Sequence, residues 1–308
     1  MDTEKCKQAE FDFVAMSQRV KAGSGSEIQQ RGNVGDEVYV LADIIDNPTL
    51  KSDVDSLDFP MFAMSSTTEG GHQIDLGNGL VAHRFFWESL DGRQTMEIIT
   101  RHPAGERPTL ADKNLVVYLI SQMVSSMNRD GKIPRKIWLK KNKFLTTTGK
   151  RPNETSYNAV DVSLTRLANT RMTITTTDKA KNELRKTECG YIDTFSTVKY
   201  LDSGRMKVVE VVMSDFICEV IRKKRFLTIS KEYFGLSPFE KRIYEIARKY
   251  CGNATGPVGF DEKKLLEKTG SNGSIRDFRR MLKKIIDRDS LPDYFVRSDG
   301  ATVFFEKR

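Results

Sequence analysis

Histidine and cysteine are scarce in this chain, and neither is arranged as a metal site. The three histidines form no HxH or HxxxH pair, and the four cysteines show no CxxC or CxxH spacing. Because such spacings are typical of zinc sites, we expect no bound metal. Scattered cysteines fit reduced thiols in a cytosol better than a disulfide framework. The residues concerned are His72, His83 and His102, with Cys6, Cys189, Cys218 and Cys251.

Long apolar runs and common catalytic motifs are missing as well. No run approaches the roughly 18 apolar residues that a membrane span needs. The N-terminus lacks the apolar core of a secretory signal. The Gly149-Lys150 pair lacks the upstream glycine of a P-loop, and no GxSxG motif occurs. We therefore expect a cytoplasmic binding protein without enzymatic activity, cofactor or membrane association.

Positive charge is what the chain has in excess. The formal net charge is +8 over 308 residues. Residues 231–308 hold 17 Lys and Arg against 12 Asp and Glu, so more than half of the excess lies in the last quarter of the chain. A basic excess favours polyanionic partners, chiefly nucleic acid, although charge alone would also suit any soluble protein.

Residue patterning divides the chain into three parts. Residues 1–57 are polar and glycine-rich, which predicts a flexible, poorly ordered N-terminal segment. Residues 58–230 contain two amphipathic helices followed by strands. Residues 231–308 read helix, helix, turn, helix and hairpin, which is the element order of a winged helix-turn-helix. We predict an α+β protein with two winged helix-turn-helix domains in tandem, the first a more elaborate version without an exact sequence repeat.

The helix predicted from Ser274 separates apolar from basic side chains around its axis. At about 100° per residue, Phe278, Leu282 and Ile285 fall on one arc and the basic residues on the opposite arc. A charged outer face on an isolated helix is more often solvated than bound, but such a face normally mixes both signs. The position after a tight turn favours a recognition helix that contacts guanine edges or phosphates. The predicted DNA contacts are Arg276, Arg279, Arg280, Lys283 and Lys284.

Basic residues elsewhere are further candidate DNA contacts. Asp299-Gly300 favours a tight turn between two aromatic strands, which would place Arg297 at the tip of a wing. The aromatic residues of this hairpin are expected in its core. Another basic group precedes the second helix of residues 58–230, where a phosphate-contact surface and a solvated loop are equally compatible with the sequence. Its members are Lys140, Lys141, Lys143, Lys150 and Arg151.

Segments from about Asp58 to Gly252 resemble the plasmid replication initiator protein A family. They include "FPMFAMS", "DKNLVVYLISQM", "SYNAVDVSLTRLANTRMTI", "GYIDTF", "GRMKVVEVVMSDF" and, most specifically, "LSPFEKRIYEIARKYCG". The resemblance implies two winged-helix domains that bind double-stranded DNA at repeated origin sites, called iterons. It also implies a bacterial cytoplasmic location, associated with the nucleoid or a plasmid, and no catalytic residues.

The resemblance further implies how such a protein would act. Monomers would bind the repeats, help open the duplex and recruit the host replication initiator and replicative helicase. Dimers, in a monomer-dimer equilibrium, would repress the initiator's own promoter. Two alternatives stay open: a winged-helix repressor or partition-type DNA-binding protein without initiator activity, and a protein-interaction scaffold whose basic faces contact acidic partners.

Overall fold

Groups of strands and groups of helices make up the computed structural model, which describes residues 39–308 except 43, 66–69, 78, 103, 179–181 and 200–205. The strands are β1 (Val40–Leu41), β2 (Lys51–Asp53), β3 (Gly71–Asp75), β4 (Val81–Glu88), β5 (Gln94–Thr100), β6 (Lys136–Leu139), β7 (Thr170–Asp178), β8 (Glu183–Cys189), β9 (Ile192–Lys199), β10 (Met206–Met213), β11 (Phe226–Thr228), β12 (Val258–Asp261), β13 (Tyr294–Ser298) and β14 (Thr302–Lys307). The helices are α1 (Val54–Asp58), α2 (Leu110–Asp130), α3 (Lys141–Thr147), α4 (Glu154–Ala168), α5 (Asp215–Arg222), α6 (Pro238–Cys251), α7 (Glu262–Thr269) and α8 (Ile275–Arg288), with a 3-10 helix at Lys231–Gly235. The predicted α+β class is confirmed.

The same connectivity occurs twice along the chain. In the first unit, residues 110–213, the order is α2, β6, α3, α4 and, after an insertion, β9 and β10. The sheet order is β6-β10-β9, with β1 added in parallel beside β6. In the second unit, residues 238–307, the order is α6, β12, α7, α8, then β13 and β14, with sheet order β12-β14-β13. Helix α4 thus occupies the place in the first unit that α8 occupies in the second.

An additional sheet distinguishes the first unit from the second. Strands β7 and β8 are inserted between α4 and β9, and they extend a five-stranded sheet of order β3-β4-β5-β7-β8. Its inner face packs Phe85, Met96 and Ile98 into the core of the first unit. The two helix–sheet units therefore share a plan, and this sheet is the elaboration of one of them.

Helix α2 is the central support of the first unit. Its start is fixed by a capping box, in which Thr109 and Asp112 exchange hydrogen bonds, and Gly131 ends it in the left-handed region at a φ of 70°. Asp112 is buried and also accepts a bond of 2.7 Å from Arg166 Nη1 of α4. The start of α2 thereby positions α4, the helix equivalent to α8.

Order begins earlier than the sequence predicted, which corrects the assignment of residues 1–57. Residues 1–38 lie outside the described part, but β2 and α1 precede Asp58. Leu50 and Leu57 are buried, and Asp53 caps α1 by accepting from Ser56 N at 2.7 Å. A strand of three residues and a helix of five are too short to show a hydrophobic period. The domain boundaries themselves stay predictions.

The sequence also missed β12, because the order predicted for residues 231–308 has no strand between its first two helices. In the structure, Gly259 and Phe260 pair with β14, and Asp261 caps α7 by accepting from Lys263 N at 2.9 Å. Glu262 is consequently the first residue of α7. This register matters because Glu262 contacts α8, the helix that carries five of the predicted DNA contacts.

A buried group of charged side chains joins α2 to α6. Lys113 Nζ lies 2.8 Å from Glu245 Oε1, and these side chains are 0% and 1% exposed. Tyr233 donates to the same oxygen at 2.6 Å, and Arg242 Nη1 lies 3.1 Å from Glu245 Oε2. Burial lowers the pKa of Lys113, an effect that the Glu245 carboxylate opposes. One carboxylate therefore balances two buried cations between the helices.

Arg242 also connects the ends of two other helices. Its Nη2 donates to Asp58 O at 2.8 Å at the end of α1 and to Lys268 O at 2.6 Å near the end of α7. Carbonyls in the last turn of a helix lack intrahelical partners, and a cation there complements the helix dipole. The orientation of the second unit relative to α1 and α2 is thus fixed by buried polar contacts.

Candidate nucleic-acid interface

Helix α8 divides into the two faces that the sequence predicted. Ser274 caps it by accepting from Asp277 N at 3.1 Å, and Asp289 ends it in the left-handed region at a φ of 48°. Phe278, Leu282 and Ile285 are buried in the core of the second unit. The five predicted DNA contacts of this helix all lie on the exposed side, namely Arg276, Arg279, Arg280, Lys283 and Lys284.

Four of these five cations are available to phosphates at little energetic cost. Arg280 pairs with Asp277 and Lys283 with Asp287, each at 3.0 Å, but the side chains of both partners in each pair are at least half exposed. Exposed pairs of this kind contribute little and are screened by salt, so a phosphate can replace the carboxylate. Among the described residues, no carboxylate is paired with Arg276 or Lys284, the other two.

Arg279 is held differently from its neighbours. Its Nε donates to Glu262 Oε2 at 2.7 Å, and the Glu262 side chain is only 6% exposed. Its Nη2 lies 3.5 Å from Gly300 O in the turn between β13 and β14. Sequence reasoning missed Glu262, because the angular layout considered the side chains of α8 alone.

The hairpin beside α8 has a well-formed turn. Asp299 Oδ1 accepts from Ala301 N at 2.9 Å and from Thr302 N at 2.7 Å, while Gly300 adopts a φ of 92°. Arg297 lies two residues before Asp299 rather than at the tip, and it pairs with exposed Glu306 at 2.7 Å. The predicted place at the tip is therefore wrong by two residues, and the DNA contact of Arg297 stays a prediction.

The aromatic residues of the hairpin are only partly in its core. Tyr294 and Phe305 are buried, as predicted, and Phe304 is half-buried. Phe295 is 43% exposed, and the Arg308 guanidinium lies 4.2 Å from the centre of its ring. That cation–π contact occupies one exposed aromatic face.

The basic group before α4 separates into exposed and internal members. Lys140, Lys150 and Arg151 are exposed, as a phosphate-contact surface requires. Lys143 is half-buried and pairs with Asp46. Lys141 is buried; its ammonium forms an ion pair with Asp161 of α4 and lies 3.5 Å from Tyr157 O.

The prediction that Lys141 contacts DNA is wrong. Its side chain is 3% exposed, so its ammonium stabilises the packing of α3 on α4 instead of meeting solvent. Lys141 is the first residue of α3 and is separated from strand β6 by Lys140 alone. At this position its side chain is directed toward the protein interior. The tetrad that remains exposed or half-exposed is Lys140, Lys143, Lys150 and Arg151.

Replacing Lys141 with methionine is expected to lower stability and leave DNA binding intact. The loss of the charged hydrogen bond to Asp161 should lower the free energy of unfolding by about 1–2 kcal/mol. The slope of DNA affinity against salt should stay unchanged, because no phosphate contact is lost. Lys150→Met is the matched control and should reduce that slope while the urea midpoint stays constant. An equal reduction of the salt slope in both variants would show that Lys141 does contact DNA.

Helix α4 exposes a surface of polar and apolar side chains that the sequence did not single out. Thr155, Asn158, Ala159 and Val162 are exposed, whereas Val160, Leu164 and Leu167 of the opposite face are buried. Asn153 caps the helix by accepting from Ser156 N at 2.8 Å. Without a basic stripe, only the equivalence of α4 with α8 could have drawn attention to this surface.

Grouped metal ligands and membrane-spanning helices are both absent from residues 39–308 outside the gaps. In that part of the chain, no three His, Cys, Asp or Glu side chains are grouped so as to hold a metal ion. None of the helices described there has the length and apolar character that a bilayer crossing needs.

Solved structures with a similar fold include domains 2 and 3 of RctB. The selenomethionine crystal structure of these domains aligns with a TM-score of 0.52 at 14% identity, covering 83% of this chain and 98% of that one. A second crystal structure of RctB domains 2-3 aligns with a TM-score of 0.51 at 12% identity, covering 83% and 97%. At these identities the likeness concerns the fold alone.

Sequence comparison identifies the family. A protein of Wigglesworthia glossinidia brevipalpis named "Putative replication protein" is 26% identical over 263 residues, which are 84% of this chain and 88% of that protein. The model of the family described as Replication initiator protein A matches residues 51–296, which covers β2 through β13. The chain therefore belongs to the replication initiator protein A family.

Proposed function

We propose that this protein initiates replication by binding repeated double-stranded DNA sites at an origin through two winged helix-turn-helix domains. The observation that carries the proposal is the exposed cationic face of α8, presented by a helix-strand-helix-helix-strand-strand unit. In winged helix-turn-helix proteins the third helix enters the major groove and the hairpin flanks it. Five basic side chains on one face supply phosphate neutralisation and hydrogen-bond donors for base edges.

The repeated connectivity supports a second DNA-reading helix. Helix α4 has the position of α8, and exposed Lys150 and Arg151 lie just before it. Its exposed Asn158 amide suits an adenine edge, and the Val162 side chain suits a thymine methyl group. We propose that the first unit reads a neighbouring part of the same site with polar and apolar contacts, while the second unit supplies most of the electrostatic attraction.

The buried junction between the units supports binding of one long site. Lys113, Glu245 and Arg242 fix α6 against α2, so α4 and α8 would approach DNA in a set relative position. A fixed arrangement pays less ordering entropy on binding than two units on a free linker. We propose that such binding strains and helps open the duplex, and that the bound protein recruits the host initiator and the replicative helicase.

Further parts of the proposal concern regulation and chemistry. We propose a monomer-dimer equilibrium in which dimers repress the protein's own promoter. We also propose that the protein works in the bacterial cytoplasm, on a plasmid or the nucleoid, and acts by binding without catalysing a reaction. Family membership and the basic α8 face support these points.

The decisive experiment is a minimal replicon. A circle with this gene, its adjacent upstream DNA and a resistance marker is introduced into a bacterial host, beside a matched circle with a stop codon early in the gene. We expect only the intact gene to sustain replication. Tight, specific binding to the upstream DNA without replication would overturn the initiator role and favour a repressor or partition protein.

A further inference from the structure

An acidic side chain lies inside the most basic surface of the second unit. Glu262 is the first residue of α7, and its carboxylate accepts from Arg279 Nε of α8 at 2.7 Å. The Glu262 side chain is 6% exposed, while that of Arg279 is 57% exposed. The pair thus has a buried acidic end and an accessible guanidinium end.

Glu262 contacts every element that forms this surface. Its backbone N–H donates to Ala301 O at 3.0 Å in the hairpin turn, and its carboxylate binds α8. It lies in the first turn of α7, where the helix dipole stabilises a carboxylate. Arg279 adds a long contact from Nη2 to Gly300 O at 3.5 Å. The position of this arginine is therefore set by α7 and the hairpin as well as by α8.

The geometry leaves one edge of Arg279 free to bind. Because Nε is occupied by Glu262, the terminal Nη1 and Nη2 edge is the one that can meet a ligand. Guanine presents two acceptors, O6 and N7, in the major groove, and two parallel N–H donors fit them. Arg276 and Lys284, with no carboxylate paired to them in the described part, lack this orientation and suit phosphates.

A negative charge at a DNA-facing surface has an electrostatic cost, because it opposes the attraction of phosphates. In return, the buried carboxylate reduces the rotamer freedom that Arg279 would lose on binding. The Glu262 carboxylate therefore lowers the general affinity for DNA but increases the ability of Arg279 to discriminate between bases.

We propose that Glu262 is a positioning residue that orients Arg279 to read a guanine in the major groove. The other four predicted contacts on α8, Arg276, Arg280, Lys283 and Lys284, contact phosphates. The proposal rests on the proposed DNA-binding function and deepens it, because it assigns base reading to one side chain of the cationic face.

The test is selection of bound duplexes from a random pool by the full-length protein. The parent should select a motif with at least one fixed guanine. Arg279→Ala should lose preference at that position alone, by about 10-fold or more. Glu262→Ala should weaken the same preference several-fold, and Glu262→Gln, which retains an acceptor for Nε, should weaken it less. Lys284→Ala should keep the whole motif and reduce the salt slope by about one unit.

Each contrary result has a distinct meaning. Unchanged preference at that guanine in Glu262→Ala would overturn the positioning role while leaving the DNA-binding function in place. An equal loss at all positions, with a lowered unfolding midpoint, would show that Glu262 only supports the fold and would also overturn it. A parent that selects no motif would overturn the proposed function itself.

Discussion

Glu245→Gln is expected to lower the free energy of unfolding by about 3–5 kcal/mol, the cost of breaking a buried ion pair from one side. The substitution preserves shape but removes the charge that balances Lys113 and Arg242. Both cations are buried, and the Lys113 ammonium has the Ser56 carbonyl at 2.9 Å as its other acceptor. Urea unfolding followed by circular dichroism measures the change, with the slope m checked for constancy.

Glu219→Gln is the matched control for this substitution. Glu219 also contacts two cations, Arg222 and Lys223, but on the exposed surface of α5. Solvent and salt screen those pairs, so the urea midpoint should stay at the parental value. If the Glu245 variant unfolded at the parental midpoint as well, the junction would not depend on the buried charge.

Periodicity predicted the elements that are long and half-buried. Helices α2, α4 and α8 extend over several turns, so their apolar residues recur often enough to define a face. For the same reason the layout of α8 placed Phe278 and Leu282 inside and Arg276 outside without any tertiary information. The alternation of β13 and β14 around Asp299-Gly300 predicted the hairpin in the same way.

Sequence reasoning failed where structure depends on partners distant along the chain. Lys141 and Lys113 look like surface residues until Asp161 and Glu245 are brought beside them by folding. Strand β12 has only four residues, too few for its alternation to be recognised in the sequence, and it exists because β14 pairs with it. The special status of Arg279 comes from Glu262, 17 positions earlier, which no pattern within α8 contains.

Arg279→Ala combined with Lys283→Ala is expected to weaken specific DNA binding by about 10-fold to 100-fold, because one bidentate base contact alone contributes about 1–3 kcal/mol. The second substitution removes a phosphate contact and should reduce the slope of log affinity against log salt by about 0.9. Lys283 is 75% exposed, so its substitution should hardly change the urea midpoint, whereas Arg279→Ala leaves the Glu262 carboxylate, only 6% exposed, without its partner and should lower the midpoint. Circular dichroism must therefore show that the double variant is folded under the conditions of the binding assay. Fluorescence anisotropy with the selected duplex, at several salt concentrations, measures both quantities.

A control variant that loses the same charge elsewhere distinguishes a direct contact of α8 with DNA from an effect of net charge. Arg222→Ala with Lys223→Ala removes two positive charges from exposed positions on α5, outside the second unit. That variant should bind the selected duplex within about two-fold of the parent, since charges beyond roughly 10 Å from the phosphates are screened at 0.1 M salt. Equal weakening in both double variants would mean that net charge, rather than the face of α8, governs binding. A parental affinity in the α8 variant would remove this helix from the DNA interface and leave α4 as the reading element.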